Sequence, residues 1–208
     1  MAIEDKEIIL LKVSGQDKPG VTAGLTSILA NYDAVILDIG QADIHDTLSL
    51  GILFQIKAGS SSAPVLKDLL FKGYELGIKV KFIPITIPDY EKWVKAQRKQ
   101  RYIINVLGES LTAAQLAAVT KIMSDQNLNI DSIIRLTGRT SIVDKEEYPR
   151  SCVQLSVTGS IVDKTVMTAS FMEISRTLDV DISFQEDNMY RRNRRLVCFD
   201  MDSTLIQT

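Results

Sequence analysis

The sequence is poor in the residues that build disulfide frameworks and metal cages. It contains two cysteines and one histidine among 208 residues. Cys152 and Cys198 lie in separate apolar runs, too far apart for such a framework, so we interpret them as reduced packing residues of a cytoplasmic protein. His45 lies beside Asp46 between two predicted strands, and we interpret it as a solvated turn residue.

The sequence also lacks long apolar runs and a strong charge of either sign. No stretch approaches the roughly 20 apolar residues that cross a bilayer, and the acidic start MAIEDKEIILL is unlike a signal peptide. The net charge is −2, so no overall field favours nucleic acid or a membrane. The cluster RRNRR at 191–195 has no interleaved aromatic residues, and we interpret it as a solvated linker rather than a nucleic-acid-binding segment.

Alternating strand and helix patterns fill the first half of the chain in the order βαββαβ. The spacing of Val21, Leu25, Ile28 and Leu29 predicts a helix with one buried face. The predicted strands are residues 7–15, 34–44, 48–57 and 78–85, and the predicted helices are residues 21–33 and 62–77.

The second half repeats this order. Aligning the copies places YDAVILDI (32–39) 93 positions before DQNLNIDS (125–132), which pairs Ile36 with Asn129. A period of about 95 residues indicates a duplicated domain rather than a solenoid. The predicted strands are residues 100–108, 128–138, 151–159 and 180–187, and the predicted helices are residues 111–127 and 161–179.

Each copy predicts an antiparallel four-stranded sheet with both helices on one face and the other face bare. A bare face or a free sheet edge favours pairing, so we expect a homodimer. The element order, the DKPG turn (17–20) and the duplication resemble ACT domains, the amino-acid-sensing modules. The resemblance implies an α+β chain with two ferredoxin-like domains, residues 1–87 and 100–190, joined by a helical linker at 88–99.

The turn QDKPG (16–20) leads directly into a predicted helix. Backbone N–H groups at a helix start favour an anion such as a carboxylate. Gly20 allows a ligand to approach the backbone closely, and Asp17 is a candidate partner for an ammonium group. The alternative is that Asp17 only caps the turn and Gly20 only permits it.

The resemblance to ACT domains implies an amino acid bound between this loop and the start of the second strand of a neighbouring domain. The first copy has the loop but carries Ile36 where the family often has Asn, whereas the second copy has Asn129 but no Pro-Gly turn. We therefore hypothesise one composite site for an amino acid such as L-serine. It would bring Asp17 and Gly20 to Asn129 across a domain contact, within one chain or between two.

The chain closes with LVCFDMDSTLIQT (196–208). The apolar run at 196–199 is typical of a strand buried on both faces, with Asp200 and Asp202 at its carboxyl end. Residues i and i+2 of an extended stretch point the same way, so both carboxylates can face one ligand such as Mg²⁺. The alternative is that this segment only caps a helix.

The stretch FDMDSTL (199–205) resembles the first motif of haloacid-dehalogenase-type phosphatases. Two ACT-like domains followed by this motif resemble the bacterial phosphoserine phosphatase family. The resemblance implies Mg²⁺-dependent hydrolysis of O-phospho-L-serine to L-serine and phosphate, in serine biosynthesis. It assigns Asp200 as nucleophile and metal ligand, and Asp202 as general acid and base and metal ligand.

Residues 191–208 are then a linker and the truncated first strand of an α/β Rossmann-like phosphatase domain. Because the 208 residues hold no later catalytic motif, we expect no phosphatase activity from this chain. We also expect residues 191–208 to be disordered or bound by a packing partner. The alternative is a stand-alone regulator of amino-acid metabolism with two ACT domains, of the glycine-cleavage repressor type.

Overall fold

The computed structural model describes residues 6–57, 61–97, 99–139, 141, 143, 150–188 and 191. The chain divides into two compact units between residues 96 and 97, and each unit is described on its own. Both units have the predicted order βαββαβ, so the predicted α+β class with two ferredoxin-like units is confirmed. The finer domain limits at residues 87, 99 and 190 stay a prediction.

The first unit is an antiparallel sheet of four strands in the order β2-β3-β1-β4. A two-residue turn joins β2 to β3, and its residues His45 and Asp46 have φ angles of 49° and 56°. Such angles match the right-handed twist of a hairpin, and His45 is exposed there, as predicted. The elements are β1 (Glu7–Gln16), α1 (Val21–Asn31), β2 (Val35–Ile44), β3 (Thr47–Ile56), α2 (Ala63–Leu76), β4 (Lys79–Ile85) and α3 (Ile87–Ala96).

The core of the first unit lies between one face of the sheet and helices α1 and α2. Leu11 on β1, Phe54 on β3, Leu25 on α1 and Leu69 on α2 have no exposed surface. Strand side chains alternate between the two faces, so the residues between these core positions form a helix-free face. This alternation gives the sheet its predicted one-sided core.

The second unit repeats the topology with the strand order β6-β7-β5-β8. Ile104, Val119, Leu155 and Met167 are fully buried between its sheet and its two helices. The elements are β5 (Arg101–Gly108), α4 (Ala113–Asp125), β6 (Leu128–Arg135), β7 (Ser151–Gly159), α5 (Lys164–Leu178) and β8 (Asp181–Glu186).

The helix-free face of the second unit is not bare, contrary to the sequence-based expectation. Ile103, whose side chain points to this face, is only 2% exposed. Arg191, beyond the end of β8, donates a hydrogen bond of 3.2 Å to the Gln154 side chain on β7. The Arg191 side chain therefore lies over part of this face.

Candidate ligand-binding site

The turn between β1 and α1 presents the start of a helix without a side-chain cap. Gly20 occupies the N-cap position with φ at 94°, a left-handed conformation that favours glycine. Asp17 is exposed, and its backbone N–H donates to the carbonyl of Asp46 at 2.8 Å, which holds the turn against the β2–β3 hairpin. The Val21 N–H donates to the Lys18 carbonyl at 3.4 Å, but because no side chain caps α1, the N–H groups that follow it in the first turn remain available to an anion.

Two polar side chains near this turn were not identified from the sequence. Thr22, in the first turn of α1, donates a hydrogen bond of 3.1 Å to Gln41 on β2. This contact links the open helix start to the neighbouring edge strand of the same unit. The sequence gives little signal for it, because the two residues are 19 positions apart and Gln41 is one of several exposed residues on β2.

The corresponding helix start in the second unit is closed by its own side chains. Thr112 accepts a hydrogen bond from the Gln115 backbone N–H, and the Gln115 side chain accepts one from the Thr112 N–H. The buried Gln115 amide also donates to the carbonyl of Leu178 at 2.8 Å. This capping box occupies N–H groups that an anion would need, so α1 and α4 differ in what they can bind.

Asn129 lies near the start of β6, and its side chain is exposed. Its amide donates to the Asp131 carboxylate at 3.0 Å, and the same Asp131 oxygen accepts from the Thr158 hydroxyl at 3.1 Å. These bonds orient Asn129 along the edge of the sheet. The two units are described separately, so the approach of Asn129 to Asp17 and Gly20 stays a prediction.

The backbone corrects the sequence alignment at this position by one residue. Asp33 and Asn127 both adopt positive φ just before β2 and β6. The strand pairing then skips one residue in each unit, after Ile36 in β2 and after Ile130 in β6. Ile36 is therefore equivalent to Ile130, and the residue before Ile36 is equivalent to Asn129. The alignment of Ile36 with Asn129 was wrong because it used an offset of 93 positions, whereas the positive-φ residues and the bulges of the two units are 94 positions apart.

In the first unit, the position equivalent to Asn129 is therefore Val35, which is 54% exposed. The side chain of a valine cannot donate a hydrogen bond to a ligand. The inference that only the second domain has a side-chain amide at this position is therefore unchanged.

The predicted catalytic residues Asp200 and Asp202 lie outside the described residues, as does nearly all of the 191–208 segment. Within the described ranges, no group of three or more His, Cys, Asp or Glu side chains is placed to hold a metal ion. In the same part of the chain, no helix is long and apolar enough to span a membrane. The assignment of Asp200 and Asp202 therefore stays a prediction.

Comparison with known families supports the assignment of both units. One ACT-domain model matches residues 7–83, and a second ACT-domain model matches residues 101–185. The chain carries two ACT domains. The resemblance drawn from the DKPG turn and the duplication is thereby confirmed. A solved structure of an unknown protein from Galdieria sulphuraria has the same fold, with a TM-score of 0.68 at 15% identity over 88% of this chain and 99% of that one.

Two curated relatives match both ACT domains and the residues around them. A phosphoserine phosphatase from Streptomyces coelicolor is 30% identical over 98% of this chain. The phosphoserine phosphatase SerB2 from Mycobacterium tuberculosis is 25% identical over 97% of it. This ACT-domain chain covers 46% of each relative, so it spans about half the length of the curated relatives that it matches.

Proposed function

We propose that this chain is the regulatory, amino-acid-binding region of a phosphoserine phosphatase. The observation that carries the proposal is the alignment with the S. coelicolor phosphatase, which extends over 203 residues of the chain at 30% identity. An alignment of this extent includes both ACT domains and the segment between them. It therefore supports the same order of domains in both proteins, rather than one domain that the two proteins happen to share.

In the complete protein, the proposed reaction is hydrolysis of O-phospho-L-serine to L-serine and phosphate. The Asp200 carboxylate attacks phosphorus to form an aspartyl-phosphate, while Asp202 protonates the departing serine oxygen. Asp202 then accepts a proton from the water that cleaves the aspartyl-phosphate. Both residues would hold Mg²⁺, which supplies charge neutralisation for the phosphate oxygens.

The proposed regulatory ligand is an amino acid such as L-serine, bound at the Gly20 turn. The uncapped N–H groups of α1 would bind its carboxylate, and the Asp17 carboxylate would attract its ammonium group. The amide of Asn129, from the second ACT domain of the same or another chain, would complete the site. The capping box at Thr112 explains why the second domain would contribute Asn129 rather than a second open turn.

We further propose that the chain forms a homodimer through its sheet edges. The edge strands β2 and β6 expose apolar side chains, including Ile39 at 47%, Ile44 at 75% and Ile133 at 55%. An apolar edge strand with unpaired N–H and C=O groups is a template for pairing with another strand. Sedimentation of the chain before and after Ile39→Lys tests this proposal, because a lysine at this edge should weaken the dimer.

Calorimetric titration with L-serine tests the ligand site, using two matched glycine variants. Gly20→Asn keeps a residue that tolerates positive φ, but it places a side chain beside the uncapped N–H groups. Gly77→Asn makes the same change at the end of α2, where φ is 68° and no atom lies within 4 Å of the added Cβ. We expect Gly20→Asn to weaken L-serine binding by about tenfold or more, as for loss of a charge-assisted hydrogen bond.

The control variant Gly77→Asn should bind L-serine as the unmodified chain does. No heat of binding with any amino acid, or equal binding after Gly20→Asn, would contradict the ligand site. The catalytic part of the proposal has a separate test, in which the gene is read beyond Thr208 and the complete product is assayed for phosphate release from O-phospho-L-serine. Loss of that release in Asp200→Asn is the expected result.

A further inference from the structure

The helix-free face of the first ACT domain has a basic area at one end. Cross-strand pairing arranges its residues in rows across the four strands. Two adjacent rows combine three lysines with small residues and border an open groove of about 580 Å³, which we call the basic groove. One row is Gly40, Gly51, Lys12 and Lys81, and the next is Ala42, Ser49, Ser14 and Lys79.

The three lysines of the basic groove lie close together. Lys12 is directly opposite Lys81, and side chains in such positions have Cβ atoms about 4.5–5.5 Å apart. Lys79 is on the same face, one row away. All three side chains are exposed, and none forms an ion pair within the described part of the chain. Because like charges in facing positions repel each other, this arrangement favours an anionic partner.

No acidic residue occurs in either row of the basic groove. Asp38 lies in the following row, two strands away from Lys12, a separation of about 12 Å from the usual strand spacings. That distance exceeds the Debye length of about 8 Å at physiological ionic strength, so Asp38 neutralises Lys12 only weakly.

Protection of a sheet edge explains only part of this pattern. Lysines on an edge strand discourage pairing with other chains, which accounts for Lys79 and Lys81 on β4. Lys12 is on β1, between β3 and β4, where there is no free edge to protect. A further reason is therefore needed for a positive charge at the centre of the sheet.

The second ACT domain shows that the fold does not require lysines at these positions. The equivalents of Lys12 and Lys81 in its sheet are Asn105 and Ser183, which are also direct cross-strand partners. The Asn105 amide donates a hydrogen bond of 2.9 Å to the Ser183 hydroxyl. The same backbone arrangement thus accommodates a neutral, hydrogen-bonded pair, although the buried Asn105 Oδ1 has no hydrogen-bond partner among the described residues.

The second domain also fills the space that the first domain leaves open. Gly51, the partner of Lys12 on β3, corresponds to Gln154, whose side chain accepts the hydrogen bond from Arg191. In the first domain a Cβ added to Gly40 would have no atom within 4 Å, and one added to Gly51 would touch its nearest neighbours only at 4.0 Å. The floor of the basic groove is consequently open to a small ligand.

We propose that the basic groove binds a phosphate group, either as inorganic phosphate or as a phosphomonoester. The lysine ammonium groups supply positive charge, and the hydroxyls of Ser14 and Ser49, which lie beside them on β1 and β3, supply neutral donors. The glycines allow the anion to approach the sheet backbone. A compact tetrahedral anion fits a groove lined by glycine, serine and three neighbouring lysines better than a broad acidic protein surface does.

Calorimetric titration of the 208-residue chain with inorganic phosphate, O-phospho-L-serine and L-serine tests this proposal. We expect the two phosphate-bearing ligands to bind with dissociation constants on the order of 1 mM or tighter. Lys12→Gln should weaken their binding by about tenfold, the effect of one lost charge-assisted hydrogen bond. Lys95→Gln on α3 makes the same change in net charge at a residue that does not line the basic groove, and it should leave the binding unchanged.

The relative affinities of phosphate and phosphoserine identify which source of the phosphate group is preferred. The proposal is overturned if neither ligand binds, or if Lys95→Gln weakens binding as much as Lys12→Gln, because the effect would then be one of overall charge. It is also overturned if Gly20→Asn abolishes phosphate binding. L-serine binding should persist in Lys12→Gln, so failure of the basic groove and failure of the proposed serine site give different results.

Discussion

Removing the side-chain cap of α4 should destabilise the second ACT domain and leave the first unaffected. Thr112→Ala deletes the hydroxyl that accepts the Gln115 N–H at 3.2 Å. The reciprocal bond from the Thr112 N–H to the Gln115 side chain, at 2.8 Å, can still form. Loss of such a cap costs about 1 kcal/mol of unfolding free energy, within a range of about 0.5–2 kcal/mol. For a domain of this size, that corresponds to a decrease in Tm of about 4–8 °C.

The assay can assign this effect to one domain, because the chain has a single tryptophan. Trp93 lies on α3 in the first unit, so its fluorescence reports that unit during urea denaturation, whereas far-UV circular dichroism reports both. We expect Thr112→Ala to lower the midpoint of the circular dichroism transition without moving the Trp93 transition. An unchanged circular dichroism midpoint would refute the reasoning.

A matched serine provides the control for the cap. Ser62 occupies the N-cap position of α2, but its side chain accepts no hydrogen bond from the helix. Ser62→Ala should therefore change stability by less than about 0.5 kcal/mol. Gln115→Ala should cost more than Thr112→Ala, about 2 kcal/mol, because it also removes the buried bond to the Leu178 carbonyl.

Three further predictions concern other parts of the described structure. Gly24→Ala should stabilise the chain by about 0.5–1 kcal/mol, because its Cβ comes close only to the flexible end of Lys72, at 3.0 Å, and makes an ordinary contact with Leu76 at 3.7 Å. Gly73→Ala should destabilise the chain by about 1 kcal/mol, because its Cβ would lie 2.5 Å from a valine methyl on β4. Urea denaturation measures both changes. A hydrogen bond to Asp68 raises the pKa of Tyr32 in the folded state above its ordinary value of 10.0. The unfolded chain therefore loses this proton at a lower pH than the folded chain does, and stability should fall as the pH rises above 10.0. Tyr32→Phe should reduce that fall, as measured by denaturation at a series of pH values. Burial raises the pKa of Cys152, so iodoacetamide should modify it more slowly in the folded than in the unfolded chain, as measured by peptide mass spectrometry.

The sequence predicted the order of elements because local signals and burial agree along most of the chain. Val21, Leu25 and Leu29 are buried as their helical spacing predicted, and Ile28 is partly buried against the same core. The helix predicted at 161–179 begins later, at Lys164, because Asp163 caps it. Such end effects depend on individual capping contacts rather than on periodicity.

The parts that sequence did not predict depend on pairing between distant residues. The single-residue bulges, which identify Val35 rather than Ile36 as the equivalent of Asn129, have no distinctive residue type. The contact between Arg191 and Gln154 joins residues 37 positions apart across a sheet face. The proposed composite site requires an arrangement of two domains, which hydrophobic periodicity within each domain does not encode.

The two ACT domains differ at the start of their first helix and on the helix-free face of their sheet, and at both places the first domain is the more open one. The first domain leaves the start of α1 without a side-chain cap and has an open groove at the lysine end of its helix-free face, whereas the second caps α4 with Thr112 and has Arg191 hydrogen-bonded to Gln154 at the equivalent part of its face. Both domains have the same strand order, so these differences do not follow from the topology of the fold. The first domain therefore holds the uncapped helix start and the basic groove, and the second, whose own helix start is closed by Thr112, is the domain that would contribute Asn129 to the proposed serine site.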